Sequence, residues 1–263
     1  MRLAGAELVG SREILRDQWL QTYHAPDLVS GARAGQFVHV RTGDYSGMVL
    51  RRPFSYNTMD PAAGTLTIHF RTIGRGTEWF THLRAGDRVE MLGPLGRPFE
   101  VDPRSQHLLL IAGGLGMAGI RALADEAIRA GRDVTLLFGG ATAHDVYPSS
   151  LLPDEVEYVV ATDDGSVGRQ ALVTELLATE LDRAPNATIY ACGPPAMLDA
   201  VRALCSERGV PAQLAMESGM ACGFGACFGC VVPTRNGYVR LCVDGPVLDA
   251  AELETALVAG AGH

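Results

Sequence analysis

Four of the six cysteines in this 263-residue sequence lie close together near its C-terminal end. Cys222, Cys227, Cys230 and Cys242 have the spacing C-x4-C-x2-C-x11-C. The first intervals match the plant-type spacing of [2Fe–2S] ligands. Glycines between these cysteines let the backbone turn tightly and bring amide N–H groups toward the sulfurs. The pattern therefore favours an iron–sulfur cluster held by four thiolates.

Two other kinds of site compete for the same cysteines. Zinc is usually held by two separated Cys pairs, whereas three of these cysteines share one loop. A Cys230–Cys242 disulfide is geometrically possible, because both residues flank a hairpin predicted to turn at Asn236-Gly237. Counting back from that turn places Cys242 opposite Cys230 or Val231. Structural disulfides are rare in a reducing compartment. Zinc and a disulfide remain alternatives to the cluster.

A glycine-rich turn follows the continuous apolar run His107–Ala112 and precedes a helical pattern. It contains Gly114-x-Gly116-x-x-Gly119, which suits phosphate binding at a helix N-terminus, although a simple tight turn has the same sequence. The stretch 139–143, after the next strand, contains no acidic residue. It also contains no Arg that could meet a 2′-phosphate. The missing Arg favours NAD over NADP.

Two further motifs could contact a cofactor. Ala191-Cys-Gly-Pro-Pro195 ends another predicted strand, where ligands of open α/β sheets bind, and its small residues could admit a flat ring. Arg51-Arg-Pro-Phe-Ser-Tyr56 combines an Arg that could pair with a pyrophosphate and a Ser that could bond a ring nitrogen. A plain strand-ending turn and an exposed strand edge are the respective alternatives.

Composition excludes several classes of function. All 22 basic residues are Arg, and without Lys the chain has neither a Walker-A phosphate loop nor a Schiff-base site. The net charge is −8 and no basic block occurs, so we expect no nucleic-acid partner. No apolar run is long enough to span a membrane, and the N-terminus becomes charged too early for a signal peptide. These features predict a cytoplasmic protein without a membrane anchor.

Hydrophobic periodicity predicts a mixed β and α/β fold. Alternating patches at 36–41, 65–71 and 88–92, separated by Gly- and Pro-bearing turns, predict a small antiparallel β-barrel. From His107 onward, buried-type strands alternate with helical patterns, which predicts a parallel sheet with helices on both sides. We therefore expect three domains: 1–103, 104–216 and 217–263. The predicted later strands are 134–138, 156–161 and 188–192, and the predicted helices are 120–130, 170–181 and 196–208.

Taken in order, these motifs resemble the ferredoxin-reductase-type flavoprotein superfamily. Within it, they are most similar to the electron-transfer subunits of class 1B dihydroorotate dehydrogenases. The resemblance spans nearly the whole chain and rests on GQFVHV, RRPFSY, FRTIGRGT, GPLGRPF, GGLGMAG, ATDDGSVG, ACGPPAML, MESGMACGFGACFGC and LCVDGPV. The last two motifs are the most specific, because they distinguish these subunits from most of their relatives.

The resemblance implies three cofactors: FAD in the β-barrel, NAD on the α/β domain and a [2Fe–2S] cluster in the C-terminal domain. The implied FAD-binding residues are Arg52, Pro53, Phe54, Ser55, His69, Phe70, Arg71, Gly76 and Thr77. The implied NAD-binding residues are Gly113, Gly114, Gly116, Cys192, Gly193 and Pro194. The implied cluster ligands are Cys222, Cys227, Cys230 and Cys242. No side chain is expected to act as a general acid or base, since the residues position cofactors.

The resemblance also implies a partner and a pathway. The chain is too short to add an eight-stranded α/β barrel of about 250 residues to these domains. A separate FMN-bearing dihydroorotate dehydrogenase catalytic subunit is therefore implied, in a heterotetramer of two chains of each kind that serves pyrimidine synthesis. One alternative is a reductase subunit for a hydrogenase or ferredoxin. Another, of a different class, is a zinc-bearing module that senses nucleotides without redox chemistry.

Overall fold

The computed structural model describes residues 1–43, 47–184 and 187–258. Its strands form two seven-stranded sheets and one two-stranded hairpin, in the order in which the three predicted segments follow one another. This architecture confirms the predicted fold class. The limits predicted for the three domains stay predictions, and residues 259–263 of the third lie outside the described residues. No helix in the described ranges has both the length and the apolar character needed to cross a membrane.

The first sheet is entirely antiparallel and has the strand order β4-β3-β7-β1-β2-β6-β5. Phe54 on one edge strand contacts Phe70 near the opposite edge, with 5.7 Å between ring centroids, so the sheet curls around a shared core. The elements are β1 (Arg2–Leu15), β2 (Gln18–His24), α1 (Pro26–Val29), β3 (Phe37–Val40), β4 (Arg52–Ser55), β5 (Thr58–Asp60), β6 (Thr65–Arg71), α2 (Arg75–Thr81) and β7 (Arg88–Leu95).

The second sheet has the order β11-β10-β9-β8-β12-β13-β16, and its strands are parallel except for β16 at one edge. Its central strand β8 is buried along nearly its whole length, as the continuous apolar run predicts. The elements are β8 (His107–Gly113), α3 (Met117–Arg129), β9 (Asp133–Gly140), β10 (Val156–Thr162), β11 (Arg169–Gln170), α4 (Val173–Arg183), β12 (Thr188–Cys192), α5 (Pro195–Arg208), β13 (Ala212–Ala215) and β16 (Val247–Asp249).

The predicted bounds differ from the structure at two helices. α3 begins at Met117, three residues earlier than predicted, because the glycine turn passes directly into it. α4 begins only at Val173, because Gln170, predicted as its first residue, instead pairs with Thr162 at the sheet edge, next to the pair Arg169 and Ala161.

The C-terminal hairpin consists of β14 (Val231–Thr234) and β15 (Gly237–Arg240). Thr234 pairs with Gly237, so the two turn residues are 235 and 236, and the predicted turn at Asn236-Gly237 is wrong by one position. The predicted position of Cys242 is wrong for the same reason. The ladder continues to a backbone hydrogen bond from Leu241 to Cys230, and Cys242 lies one residue beyond it.

A half-buried carboxylate joins α3 to the segment before β3. Glu126 on α3 accepts a hydrogen bond at 2.8 Å from the backbone N–H of Ala34, which lies between α1 and β3 and is 1% exposed. Burial raises the pKa of Glu126, although this hydrogen bond and the nearby Arg33 oppose the shift. The contact satisfies a buried amide and fixes α3 against the first sheet.

Replacement of Glu126 tests this contact. Glu126→Ala leaves the Ala34 N–H without a partner and should lower the free energy of unfolding by about 1–3 kcal/mol. Glu126→Gln keeps an acceptor oxygen and should cost much less. Because the folded-state pKa of Glu126 is raised, the folded wild type takes up a proton that the Gln variant cannot, and wild-type stability should improve relative to that variant as the pH falls through the raised pKa toward the usual pKa of a glutamate. Thermal unfolding at several pH values measures both effects, and equal losses in the two variants would contradict the proposed hydrogen bond.

Candidate functional site

The glycine turn and the Cys192 motif meet at the C-terminal edge of the second sheet. β8 and β12 are neighbouring parallel strands, with Ala112 opposite Cys192. A Cβ placed on Gly116 would lie 2.0 Å from the carbonyl oxygen of Cys192 and 2.6 Å from the Cα of Gly193. No side chain fits in that space, so the sequence needs glycine at 116 for the two motifs to approach each other.

The glycines of these motifs have different roles. Gly113 and Gly193 make room for the side chain of Met197, whose sulfur would lie 2.6 and 3.0 Å from a Cβ at the two positions. Gly114 instead has φ +52° and faces open space, since no atom lies within 4 Å of its Cβ position. The first turn of α3 contains no acidic residue. Gly114 and the N-terminus of α3 therefore fit an anionic phosphate group.

The flavin strand approaches the nucleotide edge at one point. A Cβ on Gly119, in the first turn of α3, would lie 3.1 Å from the sulfur of Cys192 and 3.7 Å from the hydroxyl oxygen of Ser55. Ser55 ends β4, so this contact brings a predicted FAD-binding residue and a predicted NAD-binding residue to the same place. Burial, followed by the charge of Glu217, raises the pKa of Cys192, which keeps the side chain a neutral thiol.

Arg52 and Gly76 are also in direct contact. The Nε of Arg52 would lie 3.0 Å from a Cβ on Gly76, and its guanidinium donates to the carbonyl of Leu50 at 2.7 Å. In the described part of the chain no carboxylate forms an ion pair with Arg52. The hydroxyl of Thr77 accepts the N–H groups of Ile73 and Gly74, which fixes the loop before α2. An unneutralised guanidinium beside an ordered glycine loop fits a pyrophosphate group.

The aromatic residues of the predicted FAD site belong largely to the core. Phe54 and Phe70 are buried and pack against Phe80 at 5.3 and 5.8 Å between centroids. Any contact that these two residues make with a flavin therefore involves mainly their backbone. Pro53 is exposed on β4, and Arg71 reaches across to Asp145 in the turn after β9, with 3.8 Å between the charged atoms.

His69 is buried and carries an unsatisfied atom. Its Nε2 lies 3.0 Å from the Oε1 of Gln18, which can only accept, so Nε2 holds the proton. Its Nδ1 is buried and has no hydrogen-bond partner among the described residues. Burial, followed by the charge of Arg71, lowers the pKa of His69 to about 4, so the ring is neutral at pH 7. A buried acceptor without a donor fits a ligand that completes this site.

The four clustered cysteines form two sulfur pairs. The side chain of Cys222 interacts with that of Cys227, and the side chain of Cys242 interacts with that of Cys230. Backbone N–H groups donate to all four sulfurs, with 3.1 to 3.4 Å between nitrogen and sulfur. The amides of residues 226 and 227 face Cys222, that of 229 faces Cys227, that of 225 faces Cys242 and that of 242 faces Cys230. Such donors favour thiolates and stabilise a reduced cluster.

This pairing distinguishes the three alternatives. All six cysteines are free, so the Cys230–Cys242 disulfide is wrong. A tetrahedral zinc site takes all four ligands at one ion, whereas a [2Fe–2S] cluster has two irons, each with two thiolate ligands, which matches the two sulfur pairs. The donor set fits the cluster.

Electrostatics differ between the two pairs. Burial opposes ionisation of Cys222, but the amides of residues 224, 227 and 226 outweigh it and lower the pKa of this thiol to about 6. Burial and the neighbouring Cys230 raise the pKa of Cys242 to about 12. Cys222 and Cys227 are partly or fully exposed, whereas Cys230 and Cys242 are each 2% exposed. The first pair therefore faces the surface of the protein and the second faces the core.

Two functional candidates escaped sequence reasoning. His39 on β3 hydrogen-bonds through Nδ1 to the carbonyl of Cys222 at 3.1 Å, and burial with the charges of Arg51 and Arg52 lowers the pKa of this ring to about 4. Asp163 follows β10, and its N–H donates to Gly140 at 3.1 Å. The stretch after β9 has no acidic residue, whereas the motif ATDDGSVG supplies Asp163 one strand further along the sheet.

Comparison with known proteins agrees with this geometry. A family model described as the iron–sulfur cluster binding domain of dihydroorotate dehydrogenase B matches residues 217–254, and one described as the oxidoreductase NAD-binding domain matches residues 110–203. A relative from Desulforamulus reducens named dihydroorotate dehydrogenase B (NAD(+)), electron transfer subunit, is 34% identical over 92% of this chain and 94% of its own length. A relative of the same name from Geobacillus thermodenitrificans is 38% identical over 83% of this chain and 86% of its own length.

This chain belongs to that family of electron transfer subunits. The family relationship confirms the resemblance drawn from the motifs. A similar solved structure, from work on flavin-based electron bifurcation, is an NADH-dependent reduced ferredoxin-NADP oxidoreductase. It is 27% identical, with a TM-score of 0.85 over 95% of this chain and 90% of that one. The two matched family models also confirm NAD and an iron–sulfur cluster among the predicted cofactors.

Gly116→Ala tests the contact on which the nucleotide edge depends. The new methyl group collides with the Cys192 carbonyl, so the variant should lose about 1–3 kcal/mol of stability, as overpacked sites do. It should also bind NADH more weakly, because β12 and the turn are forced apart. Thermal unfolding and NADH titration measure the two effects. Gly5→Ala is the matched control, since no atom lies within 4 Å of its Cβ position, and equal behaviour of the two variants would refute the contact.

Proposed function

We propose that this chain is the electron-transfer subunit of an NAD-dependent dihydroorotate dehydrogenase complex in pyrimidine synthesis. The complex oxidises dihydroorotate to orotate and reduces NAD⁺ to NADH. The observation that carries the proposal is the loop of four cysteines whose sulfurs receive backbone N–H groups and which contacts β3 through His39, in a chain of this family. FAD, when bound, exchanges two electrons with NAD(H) and single electrons with an iron–sulfur cluster.

The residues of the first sheet hold and orient FAD in this proposal. Arg52 binds the pyrophosphate, supported by its lack of an ion pair in the described part of the chain and by its contact with Gly76. Ser55 and the bare Nδ1 of His69 provide hydrogen-bonding atoms beside the flavin. Backbone groups of β4 and β6 complete the site, which comprises Arg52, Pro53, Phe54, Ser55, His69, Phe70, Arg71, Gly76 and Thr77. None of these residues acts as a general acid or base.

The edge of the second sheet binds the nicotinamide nucleotide. Gly113, Gly114 and Gly116 form the turn for the phosphates, and Cys192-Gly193-Pro194 lies where the nicotinamide reaches the flavin. The neutral thiol of Cys192 gives this point a small, uncharged surface. Because Ser55 and Cys192 both adjoin Gly119, the two cofactors can lie against each other there. The side chains on both sides of this point are small, so they leave room for a flat ring.

Each sulfur pair holds one iron of the [2Fe–2S] cluster. Cys222 and Cys227 bind the outer iron, and Cys230 and Cys242 bind the inner one, as their different burial supports. Amide hydrogen bonds to the sulfurs offset the negative charge that a reduced cluster carries. This chain therefore supplies both the ligands and the donors that set the cluster potential.

The partner is an FMN-bearing catalytic subunit, and the complex contains two chains of each kind. Two aromatic side chains beside the outer sulfur pair support a docking face at the cluster loop: Phe224 is 50% exposed and Phe228 63%. Tyr238 on the adjoining hairpin is 79% exposed. Exposed aromatic groups of this kind are enriched at protein interfaces.

The six free cysteines support a cytoplasmic location for the complex.

A second candidate function is transfer of electrons between NAD(P)H and a ferredoxin. The 27% identical structure is named for that activity, and it covers almost the whole chain. The relatives of 34–38% identity favour the dihydroorotate complex. Transfer to ferredoxin without any catalytic partner would support this second function.

Reconstitution with the catalytic partner tests the proposed function. The purified complex should contain FAD, FMN, iron and sulfide, and dihydroorotate should reduce NAD⁺. Cys227→Ser removes a cluster ligand and should lose iron and this activity, while flavin content is kept. Cys205→Ser, which alters a buried thiol on α5 that is not one of the four clustered cysteines, is the control and should keep both. A wild-type protein without iron and sulfide contradicts the proposal.

Asp163 should determine the preference for NAD over NADP. Asp163 follows the C-terminal end of β10, which lies two strand spacings, about 10 Å, from β8, and a carboxylate at this edge would repel a 2′-phosphate. Asp163→Arg should lower the ratio of kcat/KM for NADH to that for NADPH by about tenfold or more, which corresponds to about 1.4 kcal/mol. Asp154→Arg makes the same change of charge before the opposite end of β10. An unchanged ratio in Asp163→Arg, or an equal change in both variants, rules out this role.

A further inference from the structure

One buried histidine connects the flavin strand to the cluster loop. His39 is 0% exposed and lies in the middle of β3, which pairs with the flavin strand β4 on one side and with β7 on the other. Its Nδ1 lies 3.1 Å from the carbonyl oxygen of Cys222, a residue 183 positions later in the chain. Neither the flavin site nor the set of cluster ligands described above includes this side chain.

The two faces of β3 pack against different parts of the protein. Val38 and Val40 belong to the core that the first sheet shares with α3 and part of the second sheet. Phe37, which has the same orientation as His39 in the alternation of a strand, belongs to the core that contains Cys230 and Cys242. The His39 face of β3 is therefore the face against which the cluster segment packs.

The register of the first sheet places the same face beside the flavin motif. His39 lies directly opposite Pro53 of β4, and Phe37 lies opposite Ser55. Directly opposed residues of antiparallel strands have Cβ atoms about 4.5–5.5 Å apart and point to one face. His39 therefore lies next to Pro53 of the flavin strand, and it also hydrogen-bonds the carbonyl of Cys222, whose side chain is a proposed cluster ligand.

Contact with the loop is direct as well as hydrogen-bonded. A Cβ on Gly223 would lie 2.4 Å from the Nδ1 of His39 and 3.0 Å from its Cγ. Gly223 also has φ +76°, so glycine meets two requirements at this position: the left-handed backbone and the space for the imidazole ring. The residue after Cys222 is therefore packed onto the ring without an intervening side chain.

Hydrogen-bond chemistry fixes the state of the ring. A carbonyl oxygen can only accept, so the Nδ1 of His39 donates and carries the proton. Nε2 is then a bare acceptor, and it is buried without a hydrogen-bond partner among the described residues. A buried acceptor without a hydrogen-bond partner is unfavourable. The ring takes this position nevertheless, because there it contacts Cys222 and Gly223.

We propose that His39 is a positioning residue that fixes the Cys222 side of the cluster loop against the flavin strand and thereby sets the rate of electron exchange between the two cofactors. This role rests on the proposed function. In each exchange one electron leaves one cofactor and enters the other. His39 gains no electron and releases no proton, and it acts only through the carbonyl of Cys222 and the backbone of Gly223.

Two substitutions separate the hydrogen bond from the volume of the ring. His39→Phe keeps a ring of similar size but cannot donate to the Cys222 carbonyl. His39→Asn places an amide N–H near the position of Nδ1 and can restore the donor. His107→Phe is the control, because this half-buried histidine bonds to Thr135 at 2.8 Å at the start of β8, the end of the strand opposite the glycine turn.

The experiment uses the full-length protein, purified anaerobically, with NADH as the reductant. Flavin and cluster reduction are followed separately by rapid mixing and absorbance, and the reduced cluster is examined by electron paramagnetic resonance. In His39→Phe we expect flavin reduction at the wild-type rate, cluster reduction slower by about tenfold or more, and an altered resonance spectrum, since loss of such outer contacts typically costs 10–100-fold. His39→Asn should recover most of the rate and the wild-type spectrum, and His107→Phe should match wild type.

The outcomes distinguish this role from the function on which it rests. A wild-type spectrum and rate in His39→Phe would overturn the role of His39 and leave the function intact. Loss of iron from His39→Phe, with iron retained in His39→Asn, supports the role, whereas loss of iron from both overturns the part assigned to the hydrogen bond. Wild-type protein that lacks iron and sulfide overturns the proposed function itself.

Discussion

The close approach of the glycine turn to the end of β12 is the contact on which the candidate nucleotide site depends. With no side chain at Gly116, α3 begins directly against the Cys192 carbonyl. That position of α3 brings Gly119 beside both Cys192 and Ser55, and it sets the face of α3 that meets the first sheet through Glu126. A displacement of α3 would therefore change the second sheet, the flavin strand and the junction between them together.

The cluster loop follows a different principle. Left-handed backbone at Gly223, Gly225 and Phe228 curls the chain so that its amides face the sulfurs. A non-glycine residue in this conformation is unfavourable by roughly 1–2 kcal/mol, and Arg240 lies over the Phe228 ring at 5.5 Å, which offsets part of that cost. The loop does not depend on its own contacts alone, because β16, which follows it, pairs with β13 of the second sheet.

Local patterns predicted the parts of the molecule whose structure is local. Thr65–Arg71 and Thr188–Cys192 are strands with the bounds that their periodicity indicates, and the cysteine spacing led to the loop that holds the sulfur pairs. β1 gave no comparable signal, because glycines and charges interrupt its alternation, although it is the longest strand. The position of Cys242 was wrong by one residue, since a two-residue turn at 235–236 shifts the whole register of the hairpin.

Contacts between distant parts of the chain had no signal in the sequence. His39 stands in an ordinary alternating strand, and nothing in FVHV indicates a bond to a residue 183 positions away. Such a contact arises only when the two faces of β3 pack into two different cores, one shared with α3 and one shared with the cysteine segment. Because β4 lies beside β3, the same assignment also determines which side of the flavin motif faces the cysteines. Strand order and register therefore decide how near the candidate cofactor sites lie to each other, whereas motifs decide only which sites exist.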